Sequence, residues 1–239
     1  MAHQSTLKSL RDIALFCGLD DTERTALESQ CAWREAESGA LIITQADTST
    51  DVFFVVSGRV RAVLYSAAGK EVALREIGPG EMFGEYSAID GEPRSATIEA
   101  LESCLVAVLP AAGFQAVVAR HPDISMQLVQ VLLRQIRTLT ARVFEFSTLA
   151  VSNRIHAELL RLARASAANS NTTPAPNAAV IDPAPTHADI ASQISTHREA
   201  VTRELTKLSK IGLVERQGGA LRVTDVARLT TMVNEALGE

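Results

Sequence analysis

Gly80-Glu81-Met82-Phe83-Gly84-Glu85, followed after seven intervening residues by Pro93-Arg94-Ser95-Ala96-Thr97, is the most informative stretch of the chain. Phe83-Gly84-Glu85 sets a glycine, where a backbone can approach a ligand closely, next to a carboxylate. Arg94 stands nine residues after Glu85. A turn over Asp90-Gly91-Glu92-Pro93 would bring it back towards Gly84. A guanidinium, the Ser95 hydroxyl and backbone N–H groups would then gather for a phosphate, with Glu85 as acceptor for a sugar hydroxyl. A structural Glu85–Arg94 salt bridge is the simpler alternative, and spacing alone favours it.

Outward from this stretch, residues 33–109 consist of short apolar runs broken by turns. Leu41-Ile42-Ile43, Val52-Phe53-Phe54-Val55-Val56, Val60-Arg61-Ala62-Val63-Leu64-Tyr65 and Val72-Ala73-Leu74 predict strands, with more strand over 95–108. Ser38-Gly39, Asp47-Thr48-Ser49, Ser57-Gly58, Ala68-Gly69-Lys70 and Gly78-Pro79-Gly80 supply turns. Strands at roughly ten-residue spacing predict a jelly roll or barrel-like sandwich. Residues 7–32 are expected to be helical, with Asp20 and Glu23 as a capping box.

After Pro110 the period turns helical. Val129, Leu132, Ile136, Leu139, Val143 and Phe146 alternate spacings of three and four, the seam of a coiled coil, which predicts a homodimer through this helix. Leu128 and Leu133 lie off the seam, available for packing within the subunit. Residues 165–185 are rich in Ala, Ser, Asn, Thr and Pro and read as a loop, with Val180-Ile181 able to pair as a short strand.

The last segment has a different chemistry. Residues 188–194 predict a short helix broken at Ser195, and Thr196-His197-Arg198-Glu199 opens the next as a capping box. Val201, Leu205 and Leu208 continue on one face of that second helix. Two short helices about a tight turn fit a helix-turn-helix, whose second helix enters the major groove of double-stranded DNA by its first residues. Arg198, Glu199 and Arg203 are the candidate base readers, since Arg bonds a guanine edge and Glu accepts from cytosine. The blander readings are that Glu199 caps its own helix and Arg203 pairs with a surface carboxylate. After Gly212, Leu213–Arg216 and Ala220–Val223 around Gly218-Gly219 predict a hairpin, hence a winged form.

Composition narrows the class. The 239 residues are 46% hydrophobic and carry a net charge of -5, as in a globular protein. The first 152 residues carry 13 Lys and Arg against 19 Asp and Glu, whereas residues 195–222 carry six against three, a local +3. A basic tip on an acidic body suits a DNA reader with a separate regulatory part. Cys17, Cys31 and Cys104 are odd in number and dispersed, which predicts a reduced, cytoplasmic setting. No signal peptide or membrane span is expected. No histidine lies between 33 and 110, no Cys-x-x-Cys exists, and no Gly-x-Ser-x-Gly, Walker loop or His-Glu-x-x-His occurs. Neither a metal site nor an enzyme is expected.

Gly80–Glu85 with Pro93–Thr97 resembles the phosphate-binding cassette of cyclic-nucleotide-binding domains. With the long helix and Arg198-Glu199-Ala200-Val201-Thr202-Arg203 downstream, the chain resembles the cyclic-AMP receptor protein/FNR (CRP/FNR) family of bacterial transcription regulators, from about Leu15 to Leu229. The resemblance implies an α+β fold: a cyclic-nucleotide-binding β-roll (1–120), a dimerisation helix and hinge (121–150) and a winged helix-turn-helix (151–239). It implies that Arg94 and Ser95 hold a cyclic phosphate, Glu85 the ribose, and Phe83-Gly84 backbone contact. Thr140, of the same or the partner subunit, would face the base, while Leu139 departs from the family's hydroxyl pair. Cyclic AMP is the implied ligand, with cyclic GMP a rival because Ser95 can meet a guanine amino group. Thr196, Arg198, Glu199 and Arg203 would contact an inverted repeat similar to the family's TGTGA-type element, with RNA polymerase as a further partner. Ser195 stands where the family usually has glycine. The missing N-terminal cysteines and β-domain histidines set aside the iron–sulfur and haem branches.

Overall fold

The computed structural model describes residues 8–66, 71–169 and 177–238. The expected turn at Ala68-Gly69-Lys70 and the middle of the expected 165–185 loop lie outside them. The chain divides into two compact units, Met1–Ile136 and Arg137–Glu239.

The first unit opens not with one helix over 7–32 but with a 3₁₀ turn, Ala14–Phe16, and helix α1, Asp21–Glu28. Leu10, Ile13, Leu15, Phe16 and Leu19 are all buried. Adjacent Leu15 and Phe16 cannot both lie on one narrow helical stripe, so the chain turns to bury both. The capping box forms: Asp20 Oδ1 accepts from the Glu23 N–H at 2.8 Å, and Glu23 Oε2 from the Asp20 N–H at 3.4 Å.

Eight strands follow: β1 (Ala32–Ala36), β2 (Leu41–Ile43), β3 (Val52–Ser57), β4 (Val60–Tyr65), β5 (Glu71–Ile77), β6 (Met82–Phe83), β7 (Thr97–Ala100) and β8 (Cys104–Leu109). They form two four-stranded antiparallel sheets, β1-β8-β3-β6 and β2-β7-β4-β5. The unbroken apolar run of β3 has a direct cause. Phe53 and Val55 face one core with Val60, Ala62, Ile98 and Val106, while Val52 and Phe54 face another with Phe16, Phe114, Ile124 and Leu128. Both faces of the strand are covered, so neither alternates to polar. Helices α2 (Glu85–Asp90), α3 (Ala111–Arg120) and α4 (Pro122–Thr148) complete this part of the chain, α4 running on into the second unit.

Of the expected seam, Val129, Ile136, Leu139 and Val143 are exposed, while Leu132 and Phe146 are packed. Leu132 packs against the first core and Phe146 against the second, with the Arg154 guanidinium 5.4 Å from the Phe146 ring centroid. Leu128 is buried as anticipated, but Leu133 is exposed. The apolar side chains left outside include Met126, Val129, Leu133, Ile136 (57% exposed), Leu139 and Val143 (64% exposed).

The second unit contains α5 (Val151–Asn169), β9 (Ala179–Ile181), α6 (His187–Gln193), α7 (Arg198–Lys210), β10 (Val214–Gln217), β11 (Ala220–Val223) and α8 (Val226–Leu237). Residues 165–169 are helical rather than loop, because alanine, which suggested low complexity, is also the best helix former. Strands β10-β11-β9 make a small antiparallel sheet in which Val180 and Ile181 pair with Arg222 and Leu221. Ile155, Leu159, Ile190, Val201, Leu208, Val223 and Leu229 form its core. His156 Nε2 meets Glu204 Oε1 at 2.8 Å, tying α5 to α7. Among the described residues, no helix is long and apolar enough to cross a membrane.

Candidate functional sites

In the first unit, β6 pairs with β3 and stacks Phe83 on Phe53, ring centroids 4.9 Å apart and planes 8° apart. The Phe83 ring is therefore core. Gly84 follows at φ +81° and leads into α2, whose first residue is Glu85. A Cβ at Gly84 would lie 2.7 Å from Arg94 Nη1 and 3.0 Å from the Asp51 carbonyl oxygen, so both backbone angle and space demand glycine.

The chain returns as the turn chemistry suggested. Gly91 at φ +75° ends α2, and Asp90 Oδ1 accepts from the Glu92 N–H at 2.9 Å. The Arg94 backbone is then stitched to the 44–51 loop: its N–H donates to Asp47 O at 2.8 Å, and its carbonyl accepts from Ala46 N–H at 2.9 Å.

The Arg94 side chain is only 3% exposed. Nη1 donates to Gly84 O at 2.8 Å, Nη2 to Asp51 O at 2.8 Å and Nε to Ser49 Oγ at 3.1 Å. The guanidinium carbon lies 5.7 Å from the Phe53 ring centroid. The simple Glu85–Arg94 salt bridge is therefore overturned: each hydrogen-bond acceptor on Arg94 is a neutral oxygen. Burial pulls its pKa down, against the nearby charges of Asp51, Asp47 and Glu85, yet a guanidinium stays protonated.

Glu85 is equally buried, 3% exposed, and accepts from Gln135 Nε2 at 3.4 Å. Burial pushes its carboxyl above the usual range, opposed by Arg75, its own backbone N–H, Gln135 and Arg94. The Tyr86 hydroxyl donates to Gln135 Oε1. Ser95 is exposed beside Arg94. Thus Gly84, Glu85, Arg94 and Ser95 come together, and Phe83 joins them through its backbone. Thr140 is exposed on the part of α4 that belongs to the second unit. Ser49, Asp51, Gln135 and Arg75 were not picked out from the sequence. The Asp47–Ser49 turn signal was the one visible hint of the loop that holds Arg94.

In the second unit, α6 is capped by Thr186: its Oγ1 accepts from the Asp189 N–H at 3.1 Å while Asp189 Oδ2 accepts from the Thr186 N–H at 3.0 Å. The expected capping box at Thr196 and Glu199 does not form. Helix α7 starts at Arg198 with His197 as N-cap and no side-chain cap, which leaves Thr196 one residue short of the capping position. Ser195 adopts φ +52°, the left-handed angle that favours glycine, and Thr196 N–H donates to Ala191 O at 2.9 Å to close the turn. Val201, Leu205 and Leu208 fix the buried face of α7 and leave Glu199 and Arg203 on the opposite side, with exposed Arg198 at its start. None of these three makes an ion pair or hydrogen bond through its side chain among the described residues, and no side chain caps α7. Strands β10 and β11 form the wing, where Arg222 pairs with Glu215 at 2.8 Å and Arg216 stays exposed.

Comparison with known proteins adds independent findings. The cyclic nucleotide-binding domain family matches residues 33–121, and the Crp-like helix-turn-helix domain family matches residues 153–232. The cyclic AMP receptor protein of Thermus thermophilus is 30% identical over 215 residues, which are 90% of this chain and 94% of that protein. A probable transcriptional regulator of Lacticaseibacillus casei is 26% identical over 223 residues, 93% of this chain and 95% of that one. Among solved structures, a CooA mutant from Carboxydothermus hydrogenoformans superposes with a TM-score of 0.78 at 20% identity, covering 92% of this chain and 95% of that one, a likeness of fold alone. The chain belongs to the CRP/FNR family of transcriptional regulators: it is no enzyme but a ligand-responsive, DNA-binding regulator with a cyclic nucleotide-binding sandwich and a Crp-like helix-turn-helix.

Proposed function

We propose that the chain acts in the cytoplasm as a homodimer in which a cyclic nucleotide gates binding to a palindromic, TGTGA-type site on double-stranded DNA. Residues 1–120 would be the sensor, 121–150 the dimer helix and hinge, and 151–239 the reader. The observation that carries the ligand half is Arg94, a buried cation hydrogen-bonded only to neutral oxygens. Such a group retains a strong attraction for an anion that can reach it. A cyclic phosphate would draw on Arg94, Ser95 and the α2 backbone, the ribose 2′-hydroxyl would donate to Glu85, and Thr140 would approach the base.

The dimer is supported by the apolar side chains left exposed along α4, a surface that two copies would cover. Cyclic AMP is the effector suggested by the name of the Thermus relative, and cyclic GMP is the alternative. Thr196, Arg198, Glu199 and Arg203 would read each half-site, and RNA polymerase would be the further partner.

Calorimetric titration of the full chain with each nucleotide, with and without Arg94→Ala, tests the cassette; unchanged affinity in the variant sinks the phosphate assignment. Gel shifts on a palindromic site with and without nucleotide test the gating. DNA binding that ignores the nucleotide removes it, and no DNA binding at all favours a module that regulates a protein partner instead.

A further inference from the structure

We propose that His187 contacts the DNA backbone and takes up a proton as it does so, so that DNA affinity rises as pH falls through the histidine range; this rests on the DNA-binding reading of the second unit. In a helix-turn-helix the first helix crosses the sugar-phosphate backbone while the second enters the groove. His187 is the first residue of α6, the first of the two helices, and is half-buried. Groups from two other elements surround it. Thr202 of α7 is hydrogen-bonded to its ring, and the charges that act on it are Arg216 of β10 and Arg198 of α7, both exposed. On α6 itself, Asp189 closes the cap with Thr186. Arg142 and Arg154 also reach α6, but at its far end, where they donate to Gln193 Oε1 and to the Ile194 carbonyl.

The hydrogen bonds fix where this ring can accept a proton. Thr202 Oγ1 donates its one hydrogen to the Arg198 carbonyl at 3.0 Å. Towards His187 Nδ1, 2.8 Å away, it can then only accept, so Nδ1 carries the hydrogen of the neutral ring. Nε2 is left as a lone pair, with no hydrogen-bond partner among the described residues. A phosphate oxygen brought to that lone pair would set acceptor against acceptor. A proton from solvent turns Nε2 into a charge-assisted donor to the same oxygen.

Without DNA, burial and then the charges of Arg216 and Arg198 hold the imidazole below its usual pKa, so it is neutral at pH 7. A phosphodiester docked beside the histidine and the two arginines reverses that field and draws the proton on. The alternative is that His187 only braces α6 against α7 through Thr202. DNA affinity would then be indifferent to the charge of the ring.

Fluorescence anisotropy of the full chain from pH 8 to pH 6 separates these. The probes are a duplex with a TGTGA-type inverted repeat and one of scrambled sequence, at low salt, with cyclic AMP or cyclic GMP saturating. The wild-type protein is expected to bind both duplexes about tenfold or more tightly at pH 6 than at pH 8, because a phosphate contact carries no sequence information and each subunit takes up as much as about one proton. His187→Gln should flatten the profile at the weak level of pH 8. His187→Arg, a permanent cation, should flatten it at the strong level of pH 6. A flat wild-type profile overturns the proposal, as does a dependence that survives in His187→Gln, which would belong to exposed His197 instead. Should the variants fail to fold, the His187 ring followed by NMR in the wild-type protein decides: its titration should move to higher pH on adding the scrambled duplex, and an unmoved titration overturns the proposal. Binding of neither duplex at any pH is the distinct result that overturns the DNA-binding reading and this proposal with it.

Discussion

Gly84→Ala and Gly91→Ala form a pair that isolates the packing around Arg94. Both glycines sit at nearly the same positive φ, +81° and +75°, so both substitutions incur a similar backbone penalty of about 1–2 kcal/mol. At Gly91 a Cβ meets nothing within 4 Å, and that penalty is the whole effect. At Gly84 the same atom would lie 2.7 Å from Arg94 Nη1, 3.0 Å from the Asp51 carbonyl and 3.4 Å from a ring carbon of Phe53. The carbonyl is backbone and the ring is stacked on Phe83, so Arg94 must move, although three hydrogen bonds hold it. Overpacking of this kind costs about 1–3 kcal/mol, and a lost hydrogen bond to a charged group about 1.5–3. Allowing for partial relaxation, Gly84→Ala should be less stable than Gly91→Ala by roughly 2–4 kcal/mol.

The single tryptophan, Trp33, lies half-buried in β1, so its fluorescence reports the unfolding of the first unit separately from the second. In a domain of this size the difference corresponds to a gap in melting temperature on the order of 5–15 °C. Displacing Arg94 should also weaken nucleotide binding by more than about tenfold in Gly84→Ala, with little change in Gly91→Ala. Equal melting temperatures in the two variants would refute the reasoning, because they would mean that no side chain needs the space which Gly84 leaves.

The pKa of Glu85 is raised by burial, so nucleotide affinity should fall on acidification with a midpoint above the ordinary ~4.3 of a glutamate, and titrations across pH should lose that dependence in Glu85→Gln. The same shift makes the ligand-free fold gain stability as pH falls through the folded pKa, the gain being complete below the unfolded value, which thermal melts across pH would detect. Ile136→Glu with Val143→Glu should yield a folded monomer in analytical ultracentrifugation, since both side chains are already exposed in the single chain; a persisting dimer would exclude this face. Glu204→Ala strips the buried His156 Nε2 of its 2.8 Å partner and should destabilise the second unit by about 1–3 kcal/mol in chemical denaturation followed by circular dichroism. Arg198→Ala should cost about 1–3 kcal/mol in DNA affinity and relax preference at one base pair; a uniform loss across sequences would make it a phosphate contact.

What could be read from the sequence was whatever depends on near neighbours. The strands from Leu41 to Tyr65 announced themselves because β-branched and aromatic runs between turn residues have few other uses. The return of Arg94 to Gly84 was legible because Asp90-Gly91-Glu92-Pro93 carries its own turn chemistry. The acceptors that Arg94 uses were not, since two are main-chain carbonyls and a carbonyl has no signature in side-chain identity. Arg75 was overlooked for a related reason. In β5 it reads as one more charged residue beside Glu76, and only the register against Ala62, with the irregularity between Ala62 and Val63, shows which of the two faces inward.

The long helix leaves only part of its expected seam exposed. Apolar residues stand at both 132 and 133, so spacings of three and four can be threaded through either. Packing decides: Leu132 is drawn into the core beside Leu128, and Leu133 is left outside with Val129 and Ile136. From Met126, the exposed apolar residues continue through 129, 133, 136, 139 and 143, in steps of three and four. Thr140 is exposed next to Leu139, so the apolar run is continuous without it; the helix itself gives that hydroxyl no assignment, and its proposed contact with a base rests on the family resemblance alone.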